Sequence, residues 1–222
     1  MPENIHYIYS EVKPAQCFEI AARYAVGEFI IPLADDVFFS PHALDALYEH
    51  YQHTGDRKTV VTAKYAYNEQ LYKNENMRFF DKDMNSPLMI VAGLINKKTW
   101  NELGGIDRRF VALCWDQDVM MRLYQAGGHV ELCENAIAIE RSFENTDSAS
   151  GLYRDVGFPV DRRFLESLWV DPYDAVVEFD PEIMHCINKD RGILFKERKN
   201  DFEPFCDKHI LTVSQGNKLH WK

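Results

Sequence analysis

Two adjacent aspartates, Asp35 and Asp36, are the first candidates for chemistry in this sequence. They follow a nearly continuous apolar run, Glu28-Phe-Ile-Ile-Pro-Leu-Ala34. Such a run predicts a strand buried on both faces, and ligands of open α/β sheets bind at the carboxyl ends of such strands. Carboxylate oxygens suit Mg²⁺ or Mn²⁺ held against a diphosphate. Both acids reach one ion only if the chain turns there, and the plain alternative is a solvated turn.

A second group of residues combines a glycine pair with two more acids. Gly104-Gly105-Ile106-Asp107 allows a tight backbone turn near a ligand. Asp116 and Asp118 follow at a predicted helix start, where the helix dipole keeps a carboxylate ionised and able to take a proton from a hydroxyl. The structural alternative makes Asp116 the N-cap and pairs Asp118 with Arg122 at i, i+4.

The first half of the chain alternates between strand and helix patterns. We predict a strand at Asn4–Tyr9, a helix from Lys13-Pro14 to about Val26 that ends at Gly27, and the buried strand described above. Pro32 lacks the N–H that a central strand needs, so the regular ladder should stop or bulge near it. Ser40-Pro41 should begin the next helix, and a strand follows at Thr59–Ala66. Tyr65 and its tyrosine neighbours suit either sugar stacking or the core.

The second half continues the alternation and then changes in composition. The patterns predict a strand at Leu88–Asn96, a helix at Lys97–Leu103 closed by Gly104-Gly105, and a helix at Asp116–Ala126. Short strands follow at His129–Leu132 and Ala136–Glu140. This order favours an α/β fold with a mostly parallel sheet flanked by helices. We expect residues 1–150 to form the core and residues 151–222 a C-terminal lobe packed on it.

Composition excludes several classes of protein. The chain has 222 residues, 46% of them hydrophobic, and a net charge of −10. That charge argues against nucleic acid or anionic lipid as a partner. The longest apolar stretch, Pro87 to Ile95, is too short to span a bilayer, and the start lacks a signal-peptide pattern. The five scattered cysteines contain no C-x-x-C and read as reduced thiols, which favours a cytoplasmic protein.

Taken together, the motifs resemble the family 2 glycosyltransferases of the GT-A fold. In that family a helix ending A-x-G-E leads into a strand that ends in an acidic metal motif, followed by P-x-x-L. Ala25 to Glu28, Asp35-Asp36 and Pro41 to Leu44 match these features. The family then shows G-G-[FI]-D-x-x-F and E-D-x-D-x-x-x-R-x-x-x-x-G. The matching residues are Gly104, Gly105, Ile106, Asp107, Phe110, Asp116, Asp118, Arg122 and Gly127.

The resemblance implies an inverting transferase that uses a nucleoside-diphosphate sugar, a divalent Mn²⁺ or Mg²⁺ ion and a glycan or other hydroxyl acceptor. By similarity, Asp36 would ligate the metal, and Asp35 would assist it or contact the ribose. Asp116 would be the general base. The block from Gly104 and Gly105 through Trp115, Asp118 and Arg122 would shape substrate binding. Arg109 or Arg122 would support charge on the diphosphate or only fix Asp118.

The sequence departs from the family pattern at several positions. Ala34 stands where the metal motif usually has an acid, and Trp115 replaces the usual glutamate before Asp116. Glu140 lies near the point where the family often has a histidine, so no role is assigned there. The family fold opens with two further strand–helix units, and this sequence has no pattern that corresponds to them. A β-α-β unit takes about 30 residues, so we expect a truncated chain whose exposed sheet edge favours self-association.

Two other function classes compete with the transferase. A catalytically silent module that binds nucleotide-sugar or glycan on the same scaffold is favoured by Trp115 and by the short N-terminus. It is disfavoured by the joint presence of Asp36 and Asp116. A metal-dependent phosphoester hydrolase ranks lower, because no clustered histidine or third carboxylate lies near these acids in the sequence.

Overall fold

The computed structural model describes residues 5–10, 13–68, 70–71, 80–81, 83–84, 86–107, 109–141, 149–169 and 210–215. Most of the predicted lobe after residue 150 lies outside these ranges, so the predicted boundary there stays a prediction. The fold consists of five helices and ten strands in the described part of the chain.

The helices are α1 (Pro14–Tyr24), α2 (Ala43–Thr54), α3 (Lys97–Leu103), α4 (Trp115–Gln125) and α5 (Ala149–Leu168). The strands are β1 (His6–Ser10), β2 (Phe29–Ile30), β3 (Val37–Phe39), β4 (Thr59–Tyr67), β5 (Gln70–Leu71), β6 (Phe80–Asp81), β7 (Ser86–Pro87), β8 (Gly93–Asn96), β9 (His129–Glu140) and β10 (Ile210–Gln215).

The central sheet has the strand order β2-β8-β4-β9-β3, and β5 pairs with β4 beside it. The long β4–β9 ladder is parallel and carries a bulge between Ala63 and Lys64. The β2–β8, β8–β4 and β9–β3 ladders are antiparallel. The prediction of a mostly parallel sheet is therefore wrong in this respect, and the sheet is mixed. A parallel β4–β8 pair would need a long crossover, usually a helix, and the described part of that connection contains none.

Helices cover both faces of the sheet. Adjacent residues of β4 enter different cores, since Val60 belongs to a large core that includes side chains of α1, α3, α4 and α5, whereas Val61 packs with α2. Leu165, Leu168 and Trp169 anchor α5 in the large core and are almost fully buried. α5 is thus packed on the sheet domain along this part of its length.

Several predicted elements are confirmed in the described part of the chain. The β2 ladder stops at Ile30, shortly before Pro32, as the missing N–H of proline predicted. Helix α3 spans the predicted residues and ends at Gly104, which has a φ of 87°. Helix α4 begins one residue before its predicted start, and Gly127 follows it with a φ of 78°.

Other boundaries differ from the prediction. Helix α1 leaves the helical conformation at Ala25, whose φ of −57° and ψ of 136° need no glycine, so the predicted cap at Gly27 is wrong. Helix α2 begins at Ala43, because Ser40 is bound elsewhere: its Oγ accepts a 3.2 Å hydrogen bond from the Ile137 N–H of β9.

The strand predictions also change in detail. The stretch before β8 forms a turn, in which the Gly93 N–H donates to the Ile90 carbonyl at 3.0 Å. The two strands expected after α4 are one continuous strand, β9. Strand β1 pairs with β10 in a sheet of its own. Within the part of the chain that the structure describes, no helix is both long and apolar enough to cross a bilayer.

Candidate functional site

Asp35 and Asp36 occupy a turn between the segment after β2 and the start of β3. The Val37 N–H donates to the Ala34 carbonyl at 3.3 Å, which closes the turn around the two acids. The Asp36 carbonyl accepts a 3.0 Å bond from the Arg141 N–H, so the turn is held at the end of β9. Asp35 is exposed and Asp36 is partly buried. The turn that the two acids need in order to face one ligand is therefore present.

Tyr65 of β4 connects this turn with the rest of the site. Its hydroxyl donates a 2.6 Å hydrogen bond to Oε2 of Glu140, the last residue of β9. Burial raises the pKa of Tyr65 strongly, the bond to Glu140 raises it further, and the negative charges of Glu140, Asp36 and Asp116 add to the effect. The phenol therefore stays protonated. Asp36 and Asp116 are therefore both near enough to Tyr65 for their charges to act on its hydroxyl.

Asp116 lies in the first turn of α4 and is partly buried. Burial raises the pKa of its carboxyl above that of an ordinary aspartate, whereas the N–H groups of Gln117 and of Asp116 itself donate to the carboxylate and lower it. The N-cap of α4 is Cys114, two residues before Asp116. Its φ of 60° is a left-handed conformation that only a few per cent of non-glycine residues adopt. Asp116 is thus not the N-cap that the structural alternative predicted.

Asp118 and Arg122 form the predicted i, i+4 pair, and both side chains are fully buried. The guanidinium Nε donates to Oδ2 of Asp118 at 3.0 Å. Arg122 also donates to the carbonyls of Leu103 and Gly105 at the end of α3, the latter at 2.6 Å. These groups are engaged within the protein. The predicted contact of Asp118 and Arg122 with substrate stays a prediction.

The glycine turn is held from its other side by Glu19 of α1. The Glu19 carboxylate accepts from the Ile106 N–H at 3.0 Å and the Trp100 indole at 3.1 Å, and it pairs with Arg23 at 2.7 Å. A Cβ at Gly105, which has a φ of 70°, would overlap this carboxylate. Arg122 and Glu19 together fix the backbone of the turn, so a side chain is excluded at Gly105.

Trp115, predicted to contribute to substrate binding, packs instead in the large core. It is 4% exposed, and its ring lies 5.1 Å from that of Phe18 and 6.4 Å from that of Trp100. An indole at the position before Asp116 therefore anchors the start of α4 by apolar contact.

Four further residues of this region were not predicted as site residues. Tyr65 was considered only for stacking or the core. The sequence gives a weak indication for Glu19, because this acid lies between Ala15 and Ala22 on the buried face of α1. A carboxylate buried there needs hydrogen-bond partners. Asp161 and Trp169 lie on or just after α5, and nothing in their local sequence indicates what they contact.

A divalent cation fits the donor set of the Asp35-Asp36 turn in part. The described residues contain no cluster of three or more His, Cys, Asp or Glu side chains able to hold a metal. Two aspartates in one turn nevertheless agree with an ion that takes one or two carboxylates and completes its coordination with phosphate and water oxygens.

Comparison with known proteins identifies the fold. No protein-family model matches the sequence, and no curated protein matches it significantly. Among solved structures, the crystal structure of GalNAc-T7 with UDP, GalNAc and Mn²⁺ matches with a TM-score of 0.54 and 14% identity. The match covers 82% of this chain and 41% of that one. At this identity the likeness concerns the fold alone, and it does not single out family 2. The chain has a GT-A-like glycosyltransferase fold and spans less than half the length of GalNAc-T7.

Proposed function

We propose that this chain transfers a sugar from a nucleoside-diphosphate sugar to an acceptor hydroxyl, with inversion at the anomeric carbon, as a relative of the family 2 glycosyltransferases. The observation that carries the proposal is that Asp36 and Asp116 both lie near enough to Tyr65 for their negative charges to raise its pKa. These acids come from separate motifs: Asp36 lies in the turn before β3, and Asp116 lies in the first turn of α4.

The Asp35-Asp36 turn is proposed as the donor side of the site. Asp36, with Asp35 beside it, would hold a Mn²⁺ or Mg²⁺ ion, and the exposed Asp35 is also free to approach the ribose. The ion would supply positive charge against the diphosphate, which is the leaving group. GalNAc-T7 was solved with UDP and Mn²⁺, which supports this assignment as a proposal for the present chain.

Asp116 is proposed as the general base on the acceptor side. Its raised pKa makes the carboxylate a stronger base than an ordinary aspartate. Its place in the first turn of α4 favours the ionised form, because the helix dipole is positive at that end. Proton abstraction from the acceptor hydroxyl would generate the nucleophile for in-line attack. The turn at Gly104 and Gly105, which Glu19 and Arg122 fix in place, is proposed to shape the acceptor side.

The alternative is a module that binds nucleotide-sugar or glycan without turnover. The observation in its favour is Trp115, which packs in the large core at the position where the family 2 pattern has a glutamate beside the base. Such a module would keep the Asp36 site and make no use of the basicity of Asp116. The two functions therefore differ in what a change at Asp116 does.

The test is an assay of nucleoside-diphosphate release from a panel of nucleoside-diphosphate sugars with Mn²⁺. Product configuration is read by proton NMR. Asp116→Asn should lower turnover by about 10²–10⁴-fold and leave nucleotide affinity intact. Asp45→Asn, which changes an exposed acid in the first turn of α2, is the matched control and should have no effect. Turnover that survives in Asp116→Asn, or a product that retains configuration, would refute the proposed mechanism.

A further inference from the structure

Asp161 of α5 is a completely buried acid whose partners are backbone groups of a distant segment. Its Oδ1 accepts from the Val111 N–H at 2.7 Å, and its Oδ2 accepts from the N–H groups of Ala112 and Leu113 at 2.8 Å each. The side chain is 0% exposed. Successive N–H groups that converge on one carboxylate form an anion-binding concavity, here filled by the protein's own side chain.

Three more contacts of the α5 region reach residues close to Asp116 in the sequence. The ring of Phe164, one turn after Asp161, lies 4.8 Å from that of Phe110 and beneath the Arg109 guanidinium at 4.6 Å. Beyond the end of α5, the Trp169 indole donates to Oδ1 of Asp118 at 2.7 Å. The α5 region therefore contacts the chain on both sides of Asp116.

The segment bound by Asp161 leads directly into the start of α4. Leu113 is followed by Cys114, whose φ of 60° sets the direction of the helix, and then by Trp115 and Asp116. The N-cap residue Cys114 makes no side-chain capping bond. The hydrogen bonds to Asp161 fix the three residues that lead into α4, and they thereby fix the entry of the helix that carries Asp116.

We propose that Asp161 is a positioning residue for Asp116, and that α5 is a built-in support of the acceptor side of the site. The proposal rests on the proposed function of Asp116. It changes the role of the α5 region from an appended lobe to a part of the catalytic apparatus. In this proposal Asp161 binds the backbone N–H groups of residues 111–113 and takes no part in proton transfer.

The test compares Asp161→Asn with the unchanged chain by hydrogen exchange and by kinetics. An amide keeps one acceptor oxygen but presents an NH₂ group to N–H donors, so part of the bonding is lost. We expect the amides of Val111, Ala112 and Leu113 to exchange at least about 10-fold faster, while those of β4 are unchanged. Turnover should fall about 10–100-fold because the base is misplaced, with the KM for the donor within about twofold.

Two variants serve as controls on the same helix. Glu166→Gln removes the negative charge from the exposed 2.9 Å pair with Arg162 and should alter neither exchange nor turnover. Asp161→Glu restores the carboxylate, so its amide protection and its turnover should both lie between those of Asp161→Asn and those of the unchanged chain. If Asp161→Asn fails to fold, Asp161→Glu is compared directly with the unchanged chain.

Unchanged protection of the three amides in Asp161→Asn would overturn the proposal. So would faster exchange with unaltered turnover, or a fall in turnover matched by an equal loss of donor binding. If the unchanged chain has no turnover at all, the proposed function fails and the catalytic part of this proposal fails with it. The exchange comparison would then still decide whether Asp161 orders the segment before α4.

Discussion

The indole nitrogen of Trp169 lies 2.7 Å from Oδ1 of Asp118, and both side chains are buried. The other carboxylate oxygen of Asp118 is bound to Arg122, which in turn holds the carbonyls of Leu103 and Gly105. A residue after α5 is thereby connected through a buried ion pair to the glycine turn. This network is the internal support on which the proposed acceptor side is built.

Trp169→Phe removes one donor from that network and keeps most of the buried ring. The buried carboxylate of Asp118 then loses the hydrogen bond from the indole, so the free energy of unfolding should fall by about 1–3 kcal/mol. Urea denaturation measures the change. Ser167→Ala, which removes an exposed hydroxyl near the end of α5, should stay within about 0.5 kcal/mol. An equal effect of both variants would show that the indole bond contributes nothing.

Arg122→Met should destabilise the chain more severely. It leaves the fully buried Asp118 without its ion-pair partner, and breaking a buried pair in this way costs about 3–5 kcal/mol. Arg57→Met is the matched control, because it breaks a 2.8 Å pair with Glu102 in which both side chains are well exposed. Denaturation midpoints for the two variants should differ widely, and similar midpoints would contradict the buried network.

Gly105→Ala and Gly127→Ala separate crowding from backbone strain. Both glycines have positive φ, so each alanine should cost about 1–2 kcal/mol for the left-handed conformation. Nothing lies within 4 Å of a Cβ at Gly127, whereas a Cβ at Gly105 meets the Glu19 carboxylate. Gly105→Ala should therefore cost about 2–5 kcal/mol in total. Equal losses in thermal denaturation would show that Glu19 does not hold the turn.

Asp116→Asn should stabilise the protein at neutral pH even though it removes the proposed base. The folded-state pKa of Asp116 is raised, so its ionised form destabilises the fold at pH values above that pKa. The penalty disappears as pH falls below the pKa of the unfolded chain, near 3.9. The stability gain of the variant should thus be present at pH 7 and vanish near pH 3. Denaturation at both pH values measures it, and a variant less stable at pH 7 would contradict the raised pKa.

Local patterns in the sequence predicted what depends on local chemistry. The helix at Lys97–Leu103, the left-handed Gly104 and the pair of Asp118 with Arg122 are confirmed because each depends on residues a few positions apart. The missing N–H of Pro32 likewise predicted where the β2 ladder ends.

Features that depend on distant residues could not be predicted in this way. The direction of β8 relative to β4 depends on the connection between them, whose described part contains no helix. Helix α2 begins later than predicted because Ser40 is bound to β9. The contacts of Asp161 with residues 111–113 join parts of the chain that no local pattern relates. A tyrosine such as Tyr65 suits either a core or a binding site. Its hydrogen bond to Glu140, a residue far away in the sequence, becomes visible only in the folded structure.

The most direct test of the proposed function is thermal unfolding of this chain against a panel of nucleoside diphosphates, with and without Mn²⁺. A ligand at about 100 times its dissociation constant adds roughly 2.7 kcal/mol of stability, a shift of several degrees in Tm. We predict that one nucleotide gives a Mn²⁺-dependent shift that Asp36→Ala abolishes and Asp45→Ala preserves. No Mn²⁺-dependent shift with any nucleotide, or an equal shift in Asp36→Ala, would contradict the proposed donor site.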